Sequence, residues 1–248
     1  MICFSVITTV IVCSGNEQFP AGKVLFDEAH GQKFLVNDTG PLGLSGLAAV
    51  FSRQGFSLST NSAPLDQQTL ADIDLLVISG SFVPYSSSEI SAIQKFLSEG
   101  GHLCIMLHIA PPLYGLLQQL GIDAANGVVY ENENVLQNNP LDFRAVSLAP
   151  HPLTQNLQHI NFYGAWGFRS PRENQGVIAW TSPHAWIDLN RNGKVDPQLE
   201  LYPYGLIIAG KTGKGNFVLF SDDAIFQNKF LRDENSVLAE NLAQWLAR

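Results

Sequence analysis

Two unbroken apolar runs, "DLLVISG" (Asp74–Gly80) and "HLCIMLH" (His102–His108), flank one amphipathic segment, "SSSEISAIQKFLSEGG". A strand without polar alternation has both faces buried, which a parallel sheet covered by crossover helices provides. The segment between them carries a helix's punctuation. Ser86 and Glu89 match a capping box, Ile90, Ile93 and Leu97 fall on one face, and Gly100 and Gly101 stop the helix. Upstream, "KVLFD" (23–27) is a third apolar strand. It precedes "PLGLSGLAAVFSRQG", where Leu44, Leu47, Ala48 and Phe51 have helical spacing up to Gly55. Downstream, "PPLYGLLQQLG" predicts a helix with proline in its first turn. Strand and helix alternate from 23 to about 122, which predicts βαβ crossovers.

The pattern weakens from about 123 to 186. "ENENVLQNNP" is a polar loop, and "HPLTQNLQHINFYGAWGF" is irregular and aromatic. Strands return with "GVIAWTS" and with "LIIAGKT" and "GNFVLFS", which flank a Gly-Lys-Gly turn and so predict a hairpin. "DENSVLAENLAQWLAR" predicts a closing helix capped by Asp233, with Leu238, Leu242, Trp245 and Leu246 on its core side. The expected fold is an α/β, flavodoxin-like, doubly wound domain over 19–248. It has a mainly parallel sheet, helices on both faces, and a C-terminal β-hairpin plus helix.

Composition narrows the function. With 46% apolar and 15% charged residues among 248, the chain buries a sizeable core and is not disordered. A formal charge of −8 with only 14 Lys and Arg leaves no basic stripe for phosphates, which excludes nucleic acid as a partner. The first 18 residues contain an apolar run from Ile2 to Cys13, too short to span a bilayer and about right for a secretory core. A signal or lipoprotein-type leader over 1–18 is the favoured reading, so the chain is expected to be extracytoplasmic or membrane-anchored. A strand rich in Val, Ile and Thr is the alternative, with a cytoplasmic chain. The only expected contact with membrane is through that leader.

In parallel sheets, ligands bind beyond the carboxyl ends of the strands. The polar residues expected there are Asp27, Glu28, His30 and Gln32 after the first strand, Ser79 and Ser81 after the second, His108 after the third, and Ser221, Asp222 and Asp223 after "NFVLF". Asp27, His30, Gln32, Ser81, His108 and Asp222 are the candidate ligand-binding residues of this rim. Asp27, His30, His108, Asp222 and Asp223 are also the catalytic candidates, because a His base oriented by an Asp can run hydrolysis. Asp and His at strand ends serve equally well to bond loop N–H groups. Nucleophilic catalysis finds little support: there is no Gly-x-Ser-x-Gly elbow, and Cys104 lies within its strand, where a cysteine is more often a small core hydrophobe than a nucleophile. "GKTGKG" lacks the spacing of a phosphate loop and reads as a turn.

"DLNRNGKVDPQLE" (Asp188–Glu200) spaces its oxygen donors like a calcium loop, and calcium is the only cofactor it points to. Asp188, Asn190, Asn192, Lys194 through its carbonyl, Asp196 and Glu200 are the candidate ligands. The twelfth position is Leu199, with the acid one residue late, so weak calcium binding and a plain β-turn both stand. Phe162, Tyr163, Trp166, Phe168, Trp180, Trp186, Tyr202 and Tyr204 either line a groove or seal a core.

Together, "VLFDEAHGQ", "DLLVISG" with "SSSEISAIQKFLSEGGHLCIML", and "GNFVLFSDDAIFQNKFLRDENSVLAENLAQWL" resemble the class I glutamine-amidotransferase-like superfamily. The resemblance is to its non-catalytic, uncharacterised branch, related to auxiliary domains of gliding-motility-type ABC transporters and to the N-terminal domain of an intraflagellar-transport protein. The last stretch resembles that branch's closing strand, with an Asp at its tip (Asp222 or Asp223), an Asn shortly after (Asn228) and a final helix beginning near another Asn (Asn235), and Asn228 joins the ligand-binding candidates. Active members carry a Cys nucleophile after the strand equivalent to "HLCIMLH"; here that turn reads "HIAPP". Amidotransferase activity is therefore not expected. The expected function is non-catalytic binding of a small molecule or protein, a membrane transport component among the candidate partners. A metal-assisted hydrolase of a carbohydrate or related small molecule is the alternative.

Overall fold

The computed structural model describes residues 22–169, 176–189, 192–195 and 201–247. The proposed leader at 1–18 lies outside them, as do Asn190, Asp196 and Glu200 of the candidate calcium loop. The first half contains β1 (Gly22–Asp27), α1 (Ser45–Arg53), β2 (Phe56–Asn61), α2 (Gln67–Leu70), β3 (Leu75–Ser79), α3 (Ser87–Glu99), β4 (His102–Met106) and α4 (Tyr114–Gln119). The second half adds β5 (Asp123–Tyr130), β6 (Val135–Leu136), β7 (Asn139–Ala145), β8 (Ser147–Leu148), β9 (Ile160–Tyr163), β10 (Trp166–Arg169), β11 (Gly176–Trp180), β12 (Trp186–Ile187), β13 (Gly205–Thr212), β14 (Gly215–Phe220) and α5 (Glu234–Leu246).

The principal sheet has eleven strands, nine of them in the order β12-β5-β10-β13-β14-β4-β3-β1-β2, with β11 and β8 branching from β13. Strands β6, β7 and β9 form a separate three-stranded sheet. Among the described residues, parallel pairing is confined to β2–β1, β1–β3, β3–β4 and β4–β14; their other pairings are antiparallel. This corrects the flavodoxin-like, doubly wound expectation. The molecule is a β-rich mixed sheet with few helices. The difference arises after 122, where the expected loops are short antiparallel strands. Most of these carry no clear polar–apolar alternation of their own, and tertiary pairing decides them.

The continuous apolar runs are explained by burial on two sides. Val24 and Phe26 of β1 enter one core layer with Leu47 and Phe51 of α1 and Leu238 and Leu242 of α5. Leu25 enters the other, with Ile93 and Leu97 of α3 and Leu116 of α4. The capping box of α3 closes as its sequence predicts: Ser86 accepts from Glu89 N and Glu89 reaches back to Ser86 N. A left-handed Gly100 ends the helix.

Asn235 ties the last helix to the rest. Fully buried, it accepts from Asn161 N at 3.1 Å and donates to Asn161 O at 3.1 Å and Ile225 O at 3.3 Å. Asn235→Ala strands three buried backbone groups and is expected to lower stability by about 3 kcal/mol. Urea unfolding followed by circular dichroism measures this, and a loss well under 1 kcal/mol would contradict the role.

Candidate functional site

Because β1, β3, β4 and β14 run parallel, their carboxyl ends share one edge of the sheet. Two clusters form there. The first is centred on Asp27 at the tip of β1. Its carboxylate accepts from Ala29 N at 3.3 Å, His30 Nδ1 at 2.7 Å, Gln32 Nε2 at 3.0 Å and the Tyr85 hydroxyl. The other imidazole nitrogen, Nε2, lies 2.9 Å from Glu89 Oε1. The His30 ring stacks on Tyr85 at 3.7 Å. Gln32 also reaches Ser81 Oγ at 3.2 Å, and Ser81 bonds Tyr85 at 3.0 Å. Glu89 further accepts from Leu65 N, Ser86 N and Ser86 Oγ.

The electrostatics agree with this wiring. Burial opposes the charge on Asp27, but bonds from His30 and Tyr85 outweigh it and hold the carboxyl below its ordinary range. Burial likewise opposes protonation of His30, and Asp27 and Glu89 outweigh it, raising the imidazole. Glu89, disfavoured by burial, is held low by Ser86, Leu65 and His30. The cluster is an imidazole held between two carboxylates that favour its protonation, its polar atoms satisfied by one another. That arrangement braces the strand tip.

The second cluster is differently built. His108 follows β4, and its side chain is 40% exposed, while Asp223 beneath it is 0% exposed. Its Nδ1 lies 3.2 Å from Asp223 Oδ1, leaving Nε2 without a partner among the described residues. Phe34 and Phe82 pack their rings 5.1 and 5.3 Å from the imidazole. Asp222 accepts from Tyr163 N at 2.6 Å and Ala224 N at 2.8 Å. Burial and the charge of Asp223 push Asp222 up to about 7, and burial raises Asp223 as well. The bond that His108 donates to Asp223 is the main reason its imidazole is raised.

Three buried oxygens at this edge have no partner among the described residues: Ser79 Oγ, Ser221 Oγ and Asp223 Oδ2. Gly80, at φ +58°, lies against the last of these, where an added Cβ would come within 2.6 Å. An oriented imidazole with a free nitrogen can accept a proton or hydrogen-bond a bound group. Among the described residues no hydroxyl or thiol bonds the His108 ring.

Asn228 bonds no member of either cluster among the described residues and instead clamps the loop before α1. It accepts from Gly46 N at 2.8 Å and donates to Gly40 O at 2.7 Å and Asp38 O at 3.1 Å. In the candidate calcium loop, Asp188 accepts from Asn192 N at 3.1 Å and Gly193 N at 2.7 Å, and Asn192 Oδ1 accepts from Lys194 N at 2.8 Å. No three His, Cys, Asp or Glu side chains converge as a metal group among the described residues. Cys104 is buried, and burial pushes its thiol far up, so it acts as a core hydrophobe. The aromatic residues divide among separate clusters, with Phe162 in one core layer, Trp166 and Phe168 in the other, and Tyr204 in a third. Sequence reasoning missed Tyr85 and took Glu89 for a helix cap alone. The available signal was that both follow β3 at the same edge.

Among the described residues no helix is long and apolar enough to cross a membrane. The family profile of a domain of unknown function, DUF4350, matches residues 36–243. No curated protein matches the chain. Among solved structures, the mmIFT52 N-terminal domain is similar at 16% identity and a TM-score of 0.73, over 91% of this chain and 97% of that one. The cytoplasmic protein STM1381 from Salmonella typhimurium LT2 is similar at 17% identity and a TM-score of 0.60, over 91% and 100%. A putative ThuA-like protein from Bacteroides uniformis ATCC 8492 is similar at 13% identity and a TM-score of 0.54, over 94% of each chain. At these identities the likeness concerns the fold alone. The family match and these neighbours overturn the class I glutamine-amidotransferase-like assignment. The short motifs that carried it, an apolar strand and a capped helix, are what any buried βαβ unit requires.

Proposed function

The chain belongs to the DUF4350 family, a domain of unknown function, and we propose that it is a non-catalytic binding domain whose rim around His108 receives a ligand or partner. The observation that carries the reading is the exposed imidazole, oriented by buried Asp223 and set between Phe34 and Phe82. Phe82 and Val83 beside it are 38% and 50% exposed, giving the rim apolar surface to cover. A bound group would meet an apolar wall and one hydrogen-bonding nitrogen. The first cluster supports this rim from beneath: His30 O accepts from Phe82 N at 2.9 Å and Val83 N at 3.0 Å.

A thermal-shift panel of sugars, nucleotides, amino acids and metals, run on the wild type and His108→Ala, tests the reading. His108→Ala removes the imidazole bonded to buried Asp223, so the variant is expected to fold but to lose about 1–3 kcal/mol, and each ligand response is read as a shift from that protein's own unliganded melting temperature. A compound that raises the melting temperature of the wild type and not of the variant supports binding at the rim. Equal responses in both proteins would move the site elsewhere. The free Nε2 above Asp223 favours one other reading, acid–base hydrolysis. Turnover of a chromogenic ester or glycoside that disappears in His108→Ala would replace binding with catalysis.

A further inference from the structure

The three-stranded sheet presents its two faces differently. In the β7–β9 ladder, Phe143 pairs with Phe162 and Ala145 with Ile160, and these side chains enter the core. The alternate pairs, Arg144 with Asn161 and Asp142 with Tyr163, therefore share the outer face. That face is one wall of a cavity of about 530 Å³; the chain between β14 and α5 closes it, bringing Lys229, Arg232 and Asp233. The volume falls in the range of sites for small organic molecules.

The chemistry of this cavity differs from that of the protein as a whole. The chain carries a formal charge of −8 and only 14 Lys and Arg, yet three of those cations meet here. None of the three forms an ion pair with a carboxylate among the described residues. The Lys229 ammonium sits 4.9 Å over the Phe230 ring. Asn161 points to a ligand independently of the charges. It lines the cavity, is only 8% exposed, and its Oδ1 is buried with no hydrogen-bond partner. A buried carbonyl oxygen without a donor is costly unless something supplies one.

We propose that this cavity binds a small hydroxylated organic anion. Its acidic group, carboxylate or phosphate, meets Arg144, Lys229 and Arg232, and its hydroxyls donate to Asn161 Oδ1 and to the carboxylates of Asp142 and Asp233. An anion without donors leaves the amide unsatisfied, and a neutral polyol leaves the cations unpaired. Both properties are required in one molecule.

The site is distinct from the His108 rim and does not depend on it. Calorimetric titration of the full chain with gluconate, glucose 6-phosphate, acetate and sorbitol tests the proposal. Gluconate or glucose 6-phosphate is expected to bind saturably, and the better of the two identifies the acidic group. Acetate and sorbitol are expected to bind at least about tenfold more weakly. Arg144→Gln changes an exposed side chain, so its unliganded melting temperature should match the wild type while its affinity falls about tenfold or more. His108→Ala should bind as the wild type does. The proposal is overturned if neither acid binds saturably at about 10 mM, if sorbitol binds as well as gluconate, or if Arg144→Gln leaves the affinity unchanged.

Discussion

Asp27→Ala is expected to lower the unfolding free energy by about 3–5 kcal/mol, the usual cost of removing one partner from a buried charge pair. The carboxylate accepts from a backbone amide, an imidazole, a side-chain amide and a phenol, and Asp27 itself is almost wholly buried. Without it, His30 keeps only Glu89 as counter-charge, and Gln32 and Tyr85 lose an acceptor. Asp27→Asn retains much of the shape and should cost less, because it removes the charge without emptying the site. Urea unfolding of the two variants measures the difference. A bound-ligand role without a bracing role predicts instead that Asp27→Ala leaves stability unchanged, and that result would remove the interpretation given above.

Stability is expected to fall as pH rises from about 6.5 to 8. His30 and His108 are raised above their ordinary value of 6.5. Their contribution is complete below 6.5, the unfolded value, and is lost as pH passes through the higher folded values. Asp222, pushed up to about 7, and Asp223, also raised, act in the same sense. The fold prefers them protonated, and that preference erodes from their ordinary 3.8 upward. Asp27 and Glu89 run the other way. They are held low, so their contribution is present above 3.8 and 4.5 and disappears only in acid. His102 and His151 are lowered by burial and favour the fold as pH rises toward 6.5, which confines the clean decline to the alkaline side. Each fully linked proton is worth about 1.4 kcal/mol per pH unit. Urea titrations at pH 6.5 and 8 should show the loss, and His30→Gln should flatten it. A gain in stability over the same interval would refute the assigned directions.

The legible part of the molecule was the part with strong local periodicity. "DLLVISG", the capped helix after it and "HLCIML" specify their own structure, because double burial requires an unbroken apolar run and a helix requires its cap and its stripe. The region from 123 to 186 was misread for the opposite reason. Its strands, such as the two-residue β6 and β8, have no periodicity of their own and exist through their neighbours. That is why a mixed sheet of eleven strands replaced the expected parallel one.

The same division holds for the candidate site. Asp27, His30, His108, Asp222 and Asp223 can be placed at strand ends from the residues alone, because each follows an apolar run. Which of them meet depends on how the strands are ordered in space. Tyr85 reaches Asp27 across 58 residues and Asp223 reaches His108 across 115. Strand order sets such pairings, and strand order depends on long-range packing that no local pattern records. That packing made Asp27 and His30 a closed brace and left His108 oriented and exposed.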